Sequence, residues 1–148
     1  MSECPLCIRS KLCHEKNYPY LIHEFKHSYF LLGEHQYYKG YSVLVAKDHY
    51  REMTDMPADV QVEFFQEMMI TSKIVEKHYG PDKMNMCSLG NVVSHIHWHF
   101  FPRYHSDTDF KNPPWLQMHL FDSAKISPDA ASSEIAEIKK TMKVLGVS

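Results

Sequence analysis

Short apolar runs and one long helical stripe organise this chain. Tyr18 to Phe25 and Ser28 to Gly33 are short, aromatic and β-branched, and read as strands. Gly40 to Ala46 reads as a third, opened by a glycine turn. Thr54 or Asp55 then offers an N-cap, with Pro57 early in the next element. From there to His78 the residues Val60, Phe64, Met68 and Val75 recur at helical spacing, and Gly80-Pro81 is a stop. Met84 to Leu89 and His95 to Phe101 read as two more strands, the second ended by Pro102 or placed by it at an edge. Residues 104 to 126 show little periodicity and are predicted to be an extended loop. Ser127-Pro128-Asp129 is a helix start, followed by Ile135, Ile138, Met142 and Leu145 and closed by Gly146. The order β-β-β-α-β-β-loop-α predicts an α+β fold, an antiparallel sheet with helices packed on it.

Composition narrows the class without naming it. A chain of 148 residues is expected to be one domain, here spanning 1–148. A formal charge of −2 argues against a protein that coats nucleic acid. No run approaches the roughly 18 apolar residues of a membrane span. The first residues lack the basic and apolar regions of a signal peptide. The expectation is a cytoplasmic protein with reduced thiols.

The four cysteines then matter by position. Cys4-Pro5-Leu6-Cys7 is a C-x₂-C pair, half of a zinc site or a redox motif. Only three residues precede it, too few for the strand a thioredoxin-like motif needs, so zinc is favoured.

Histidine is the unusual entry, with eleven residues. Three of them stand at period two in His95-Ile96-His97-Trp98-His99. In a strand this puts the histidines on one face, about 6.6 Å from neighbour to neighbour, with Ile96, Trp98 and Phe100 on the other. Two neighbours can converge on one ion. All three cannot, because His95 and His99 are about 13 Å apart by the same rise. The other reading is a division of labour between nucleophile, structural anchor and leaving-group residue.

The seven residues His95 to Phe101 resemble the signature of the histidine triad (HIT) superfamily, His-φ-His-φ-His-φ-φ with φ apolar. The preceding Leu89 to Ser94 is similar to its glycine-containing phosphate loop. Pro102-Arg103 also occurs in its hydrolase branches, and Gly40 to His49 resembles its glycine, apolar strand, lysine and histidine. The resemblance runs from Cys4 to about Arg103 and is absent from the last forty or so residues. It implies a HIT-like fold and a nucleotide hydrolase acting at an α-phosphate of a dinucleoside polyphosphate or phosphoramidate. His97 would be the nucleophile, forming a covalent nucleotidyl-histidine, and His99 would assist the leaving group. Related transferases tend to carry glutamine at that third position, so histidine points to hydrolysis over nucleotidyl transfer.

The resemblance further implies phosphate contacts around Gly90 and Asn91, although Val92 lacks the hydroxyl common in this loop. Glu34 and Asn85 are candidates for nucleoside contacts. Arg103 and Lys47 are candidates for phosphate. It implies one structural zinc per chain on Cys4, Cys7, His49 and His95, with residues 1–15 as a zinc knuckle and 104–148 as loop and helix. Cys13 and His14 are adjacent and awkward to use together. A homodimer with a continuous sheet is the family expectation. The rivals are a non-catalytic nucleotide-binding adaptor and an enzyme whose zinc is catalytic. A zinc deaminase is disfavoured, since the H-x-E partner of its C-x-x-C pair is missing. The loop after Tyr104, with Trp115, is expected to shape the choice of base and leaving group.

Overall fold

A computed structural model describes residues 3–148. Helix α1 (Pro5–His14) precedes three strands, β1 (Leu21–Glu24), β2 (Ser28–Leu32) and β3 (Ser42–Ala46). The long helix α2 (Ala58–Tyr79) follows, then β4 (Lys83–Cys87), β5 (His97–Arg103) and the C-terminal helix α3 (Pro128–Val144). All pairings are antiparallel, in the spatial order β1-β2-β3-β5-β4. The fold is therefore α+β, with the expected sheet, long helix and C-terminal helix. No helix among the described residues is long and apolar enough to cross a membrane.

Strand β5 lies between β3 and β4, so both of its edges are paired. On one face Trp98 and Phe100 join Phe30, Leu44, Phe64, Met68 and Ile138, which brings in α2 and α3. The predicted residues of the α2 stripe are the ones that pack there. On the other face Tyr29, Leu31, Tyr41, Val43, Val45 and Phe101 pack with Leu6 and Cys13 of α1. Register carries the alternation across the sheet. Val45 is opposite His97 and Val43 opposite His99. Cys87 is opposite His99 on the far side.

Five points depart from or narrow the expectations. Helix α1 was not predicted. Pro5 opens it at N1, but its apolar residues form no one-sided stripe, with Leu6 and Cys13 buried as anchors and Ile8 and Leu12 exposed. The start of α2 is displaced. Glu52 and Asp55 form a reciprocal capping box around a single 3₁₀ turn, Met53–Asp55, and α2 begins after Pro57. The region 104–126 is not all extended, because Pro114–Ala124 is 3₁₀-helical and buries Pro114 and Phe121. Pro102 lies inside β5 without ending it. The β3 ladder stops at Phe100, so a missing donor at 102 falls where β5 has one neighbour instead of two. His95 and Ile96 precede β5, although Ile96 still packs into the α2 side as the alternation requires.

Gly33 is needed for space. A Cβ there would lie 2.2 Å from Cδ1 of Tyr41 and 2.8 Å from its carbonyl oxygen. Gly33→Ala is expected to cost about 2 kcal/mol by overpacking. In a thermal melt this is a fall of about 4–8 °C. An unchanged midpoint would show that the Tyr41 ring moves freely.

Candidate active site and metal centre

The site is assembled where α1, the segment after β3 and the start of β5 meet. His95 is fully buried there. Its Nε2–H donates to the Ala46 carbonyl at 2.7 Å, which leaves Nδ1 as the free ring acceptor. Main-chain bonds lock the same junction. Ala46 N–H donates to Ile96 O at 3.0 Å and Ile96 N–H to Tyr50 O at 2.9 Å. Cys4 Sγ is 3.8 Å and Cys7 Sγ 3.5 Å from His95 Nδ1, and Cys7 Sγ is 3.2 Å from His49 Nδ1. One ligand atom from each of the four lies within 4.8 Å of the others.

These separations fit a small tetrahedral ion. Zinc bonded to sulfur at about 2.3 Å and nitrogen at about 2.0 Å has tetrahedral edges of about 3.3–3.8 Å. Two thiols and two imidazoles are its common structural donor set. Burial holds the His95 ring on the neutral side, ready to act as a ligand.

His97 hangs from the same anchor. Its Nδ1–H donates to the His95 carbonyl at 2.7 Å, so its tautomer leaves a lone pair on Nε2. That nitrogen has no partner among the described residues and is not closed off from solvent. The His97 and His99 rings sit 4.8 Å apart at 78°. His99 is walled by Tyr41 and Phe101, both stacked near it, and by the edge of Trp115 at 4.7 Å. Trp115 is itself tied by Nε1–H to Cys87 Sγ at 3.2 Å. Trp115 thus closes the His99 side of the site.

Two half-buried histidines stay neutral here. Burial, with His97 and His35 nearby, pushes His99 down to about 3. Burial also pushes His35 down to about 4. When the chain unfolds, each takes up a proton near pH 6.5, so between about pH 4 and 6.5 the unfolded state binds more protons. Stability is therefore expected to rise with pH through that window and to be lost as pH falls. His35 is sandwiched between Tyr41 and Phe121 at 4.4 and 4.1 Å, and its buried Nδ1 has no partner. His35→Phe should flatten the pH dependence of the melting temperature between pH 4 and 6.5. A slope identical to that of the unmutated protein would refute this.

The remaining predicted residues are placed as follows. Gly90 adopts a φ of +71° in the loop before β5, and Asn91 is exposed beside it. Nothing crowds Gly90, so its value is conformational. Arg103 is not brought to the histidines. It is fully buried, and its guanidinium donates to Asp107, Asn85 Oδ1, the Asn112 carbonyl and Asp109. It also lies 4.5 Å over the Tyr38 ring. Its donors are spent on holding the 104–112 loop, and Asn85 serves the same hub. Glu34 accepts from Arg9 at 2.8 Å and from Tyr18. Lys47 is paired with Glu24 at 2.8 Å. Cys13 is buried in the core under α1, away from the metal set.

Residues not singled out from the sequence also shape the site. Arg9, Tyr18, His35, Tyr41 and Val43 line a cavity of about 160 Å³ with Glu34. Tyr41 and Val43 fall in the strand predicted over 40–46, but only its pairing with β5 brings them beside His99, and nothing marked Arg9. A larger groove of about 810 Å³ lies between β1 and the end of α3, and no triad histidine lines it.

A HIT domain profile matches residues 15–106, more than half of the chain. The chain belongs to the HIT domain family. A curated relative, an uncharacterised HIT-like protein of Methanocaldococcus jannaschii, is 28% identical over 107 residues, covering 69% of this chain and 82% of the relative. Among solved structures, a hypothetical histidine triad nucleotide-binding protein of Sulfolobus tokodaii is similar in fold. It has a TM-score of 0.73 at 16% identity, over 94% of this chain and 93% of that one. A zinc-bound histidine triad family protein of Mycobacterium smegmatis gives 0.64 at 16% identity, over 96% and 97%. In this HIT protein His49 and His95 lie within the matched region and Cys4 and Cys7 before it.

Proposed function

We propose that this HIT protein hydrolyses nucleotide conjugates at the α-phosphate through a covalent nucleotidyl-His97 intermediate. One observation carries the reading. The His97 Nδ1–H bond to the His95 carbonyl leaves the Nε2 lone pair free on the open face. A neutral imidazole so held needs no further deprotonation to attack. Nε2 bonds to phosphorus as the bond from phosphorus to the leaving group breaks, and that group carries away the electron pair. Water then cleaves the P–N bond and releases the nucleoside monophosphate. Gly90 and Asn91 supply the loop against which the phosphate oxygens lie. Glu34 reaches a ribose only by releasing Arg9 and Tyr18.

The Cys4, Cys7, His49 and His95 set supports one zinc per chain. With four protein ligands and no open position, zinc there supplies structure and no Lewis-acid chemistry to substrate. Its ligand His95 offers the carbonyl that orients His97, so the metal set and the nucleophile share one residue. The zinc-bound relative supports this assignment. Exposed Val62, Phe65 and Met69 on one side of α2 support a homodimer. The reading is tested by quenching turnover of a nucleoside phosphoramidate and searching the His97 peptide for a nucleotide mass. A HIT protein that only binds nucleotides gives no adduct and no product.

A further inference from the structure

The Tyr41 hydroxyl lies 2.8 Å from Nδ1 of His99, 58 positions along the chain. The tyrosine is buried and its ring is fixed on both faces. It stacks on Phe101 at 4.5 Å and on His35 at 4.4 Å, and its edge fills the space left by Gly33. Among the described residues its hydroxyl has no other partner. His99 Nε2 also has no partner among the described residues, but it is not closed off from solvent.

Satisfying the hydrogens decides the direction of the bond. If Nδ1–H donated to the tyrosine oxygen, the Tyr41 O–H would be buried with no acceptor, which costs about 1–3 kcal/mol. If the hydroxyl donates to Nδ1, every buried hydrogen in the pair is satisfied. The single proton of the neutral ring then sits on Nε2. We infer that Tyr41 is a positioning residue that holds His99 with its proton on Nε2, aimed as a hydrogen-bond donor at the leaving group. The inference rests on the hydrolase reading above and says how its third histidine works. Burial keeps the Tyr41 hydroxyl protonated, which is consistent with a donor. His99 keeps its proton throughout. It stabilises the charge that builds on the leaving atom, which takes its own proton from water after the bond to phosphorus has broken.

The test uses the metal-loaded protein and two esters of AMP, with p-nitrophenol and with phenol. Phenolate is the more basic leaving group and needs the donor more. Tyr41→Phe keeps both ring stacks and removes only the hydroxyl. Its kcat is expected to fall about tenfold on the phenyl ester, the effect of one hydrogen bond, and less than twofold on the p-nitrophenyl ester. KM should change little on either. Tyr38→Phe removes another buried hydroxyl of the same aromatic cluster, the one that donates to Asp109, and should leave the ratio of the two rates unchanged. Equal losses on both esters in Tyr41→Phe, or the same selective loss in Tyr38→Phe, would overturn the inference.

A nitrogen NMR spectrum of the His99 ring supplies a readout independent of activity. The unmutated protein should carry the proton on Nε2, and Nδ1 should move to higher frequency in Tyr41→Phe as it loses its donor. A proton found on Nδ1 overturns the inference even if neither ester is hydrolysed. Failure to hydrolyse either ester or to form a His97 adduct bears on the hydrolase reading instead.

Discussion

His97→Ala is expected to lose hydrolysis by at least about 10³-fold and to give no nucleotide adduct when turnover is quenched. Alanine removes the only ring nitrogen of the triad that is both oriented by a main-chain bond and open to substrate as a lone pair. Losses of this size are usual when a covalent nucleophile is deleted, because the remaining groups then act only on attacking water. Stability should change little. His97 is only partly buried and its single protein bond among the described residues goes to the His95 carbonyl. The informative measurements are therefore two, the adduct mass on the peptide containing residue 97 and the melting temperature. An unmutated rate in the alanine variant would dismiss covalent catalysis by His97. Loss of activity together with a large drop in melting temperature would show that the ring is structural.

Removing the metal is expected to produce the second large effect. At a free concentration a thousandfold above its dissociation constant, an ion bound only by the folded state adds about 4 kcal/mol. Stripping it should lower the melting temperature by about 8–16 °C. The loss should be local first. Cys4 and Cys7 stand at the start of α1, and without a common ligand they leave two thiols facing two imidazoles. Amide exchange in α1 should rise before that of β2, β3 and β5. Activity should fall in parallel, since His95 is both a ligand and the residue whose carbonyl holds His97. Adding zinc back should restore both. A stripped protein that keeps its melting temperature but has no activity would instead favour a catalytic metal.

The two effects share His95, and this explains how the site is organised. One ring nitrogen bonds Ala46, the other faces the sulfurs, and the carbonyl serves His97. A metal held there would therefore stiffen the N-terminal end of β5 beside the proposed nucleophile. His99, at the other side, is stiffened by aromatic packing and by Tyr41.

Local pattern was enough for much of this. Period two along His95 to Phe101 told which side chains share a face, because alternation is a property of the strand backbone alone. The α2 stripe and the Ser127-Pro128 cap were legible for the same reason, each being set within a few residues. Arg103 was a candidate for phosphate, but the structure does not bring it to the histidines. Strand pattern does not reveal that Asp107, Asp109 and Asn112 fold back over the guanidinium and, with Asn85 of β4, occupy every donor. Glu34 was a sound acid in a sound place, yet Arg9 arrives from α1 to hold it. Helix α1 itself carries no stripe, and its place depends on Leu6, Cys13 and the metal set.

The sequence by itself determined the α+β class, the long helices and the face carrying the histidines, whereas the pairing of C-x₂-C with His49 and His95 was an implication of the family resemblance. Only the tertiary structure decided which donors remain free. Cys4 meets His95 across 91 positions and Tyr41 meets His99 across 58. Periodicity is written within one element by backbone geometry. A hydrogen bond between elements depends on how two faces pack, and so on all the side chains between them.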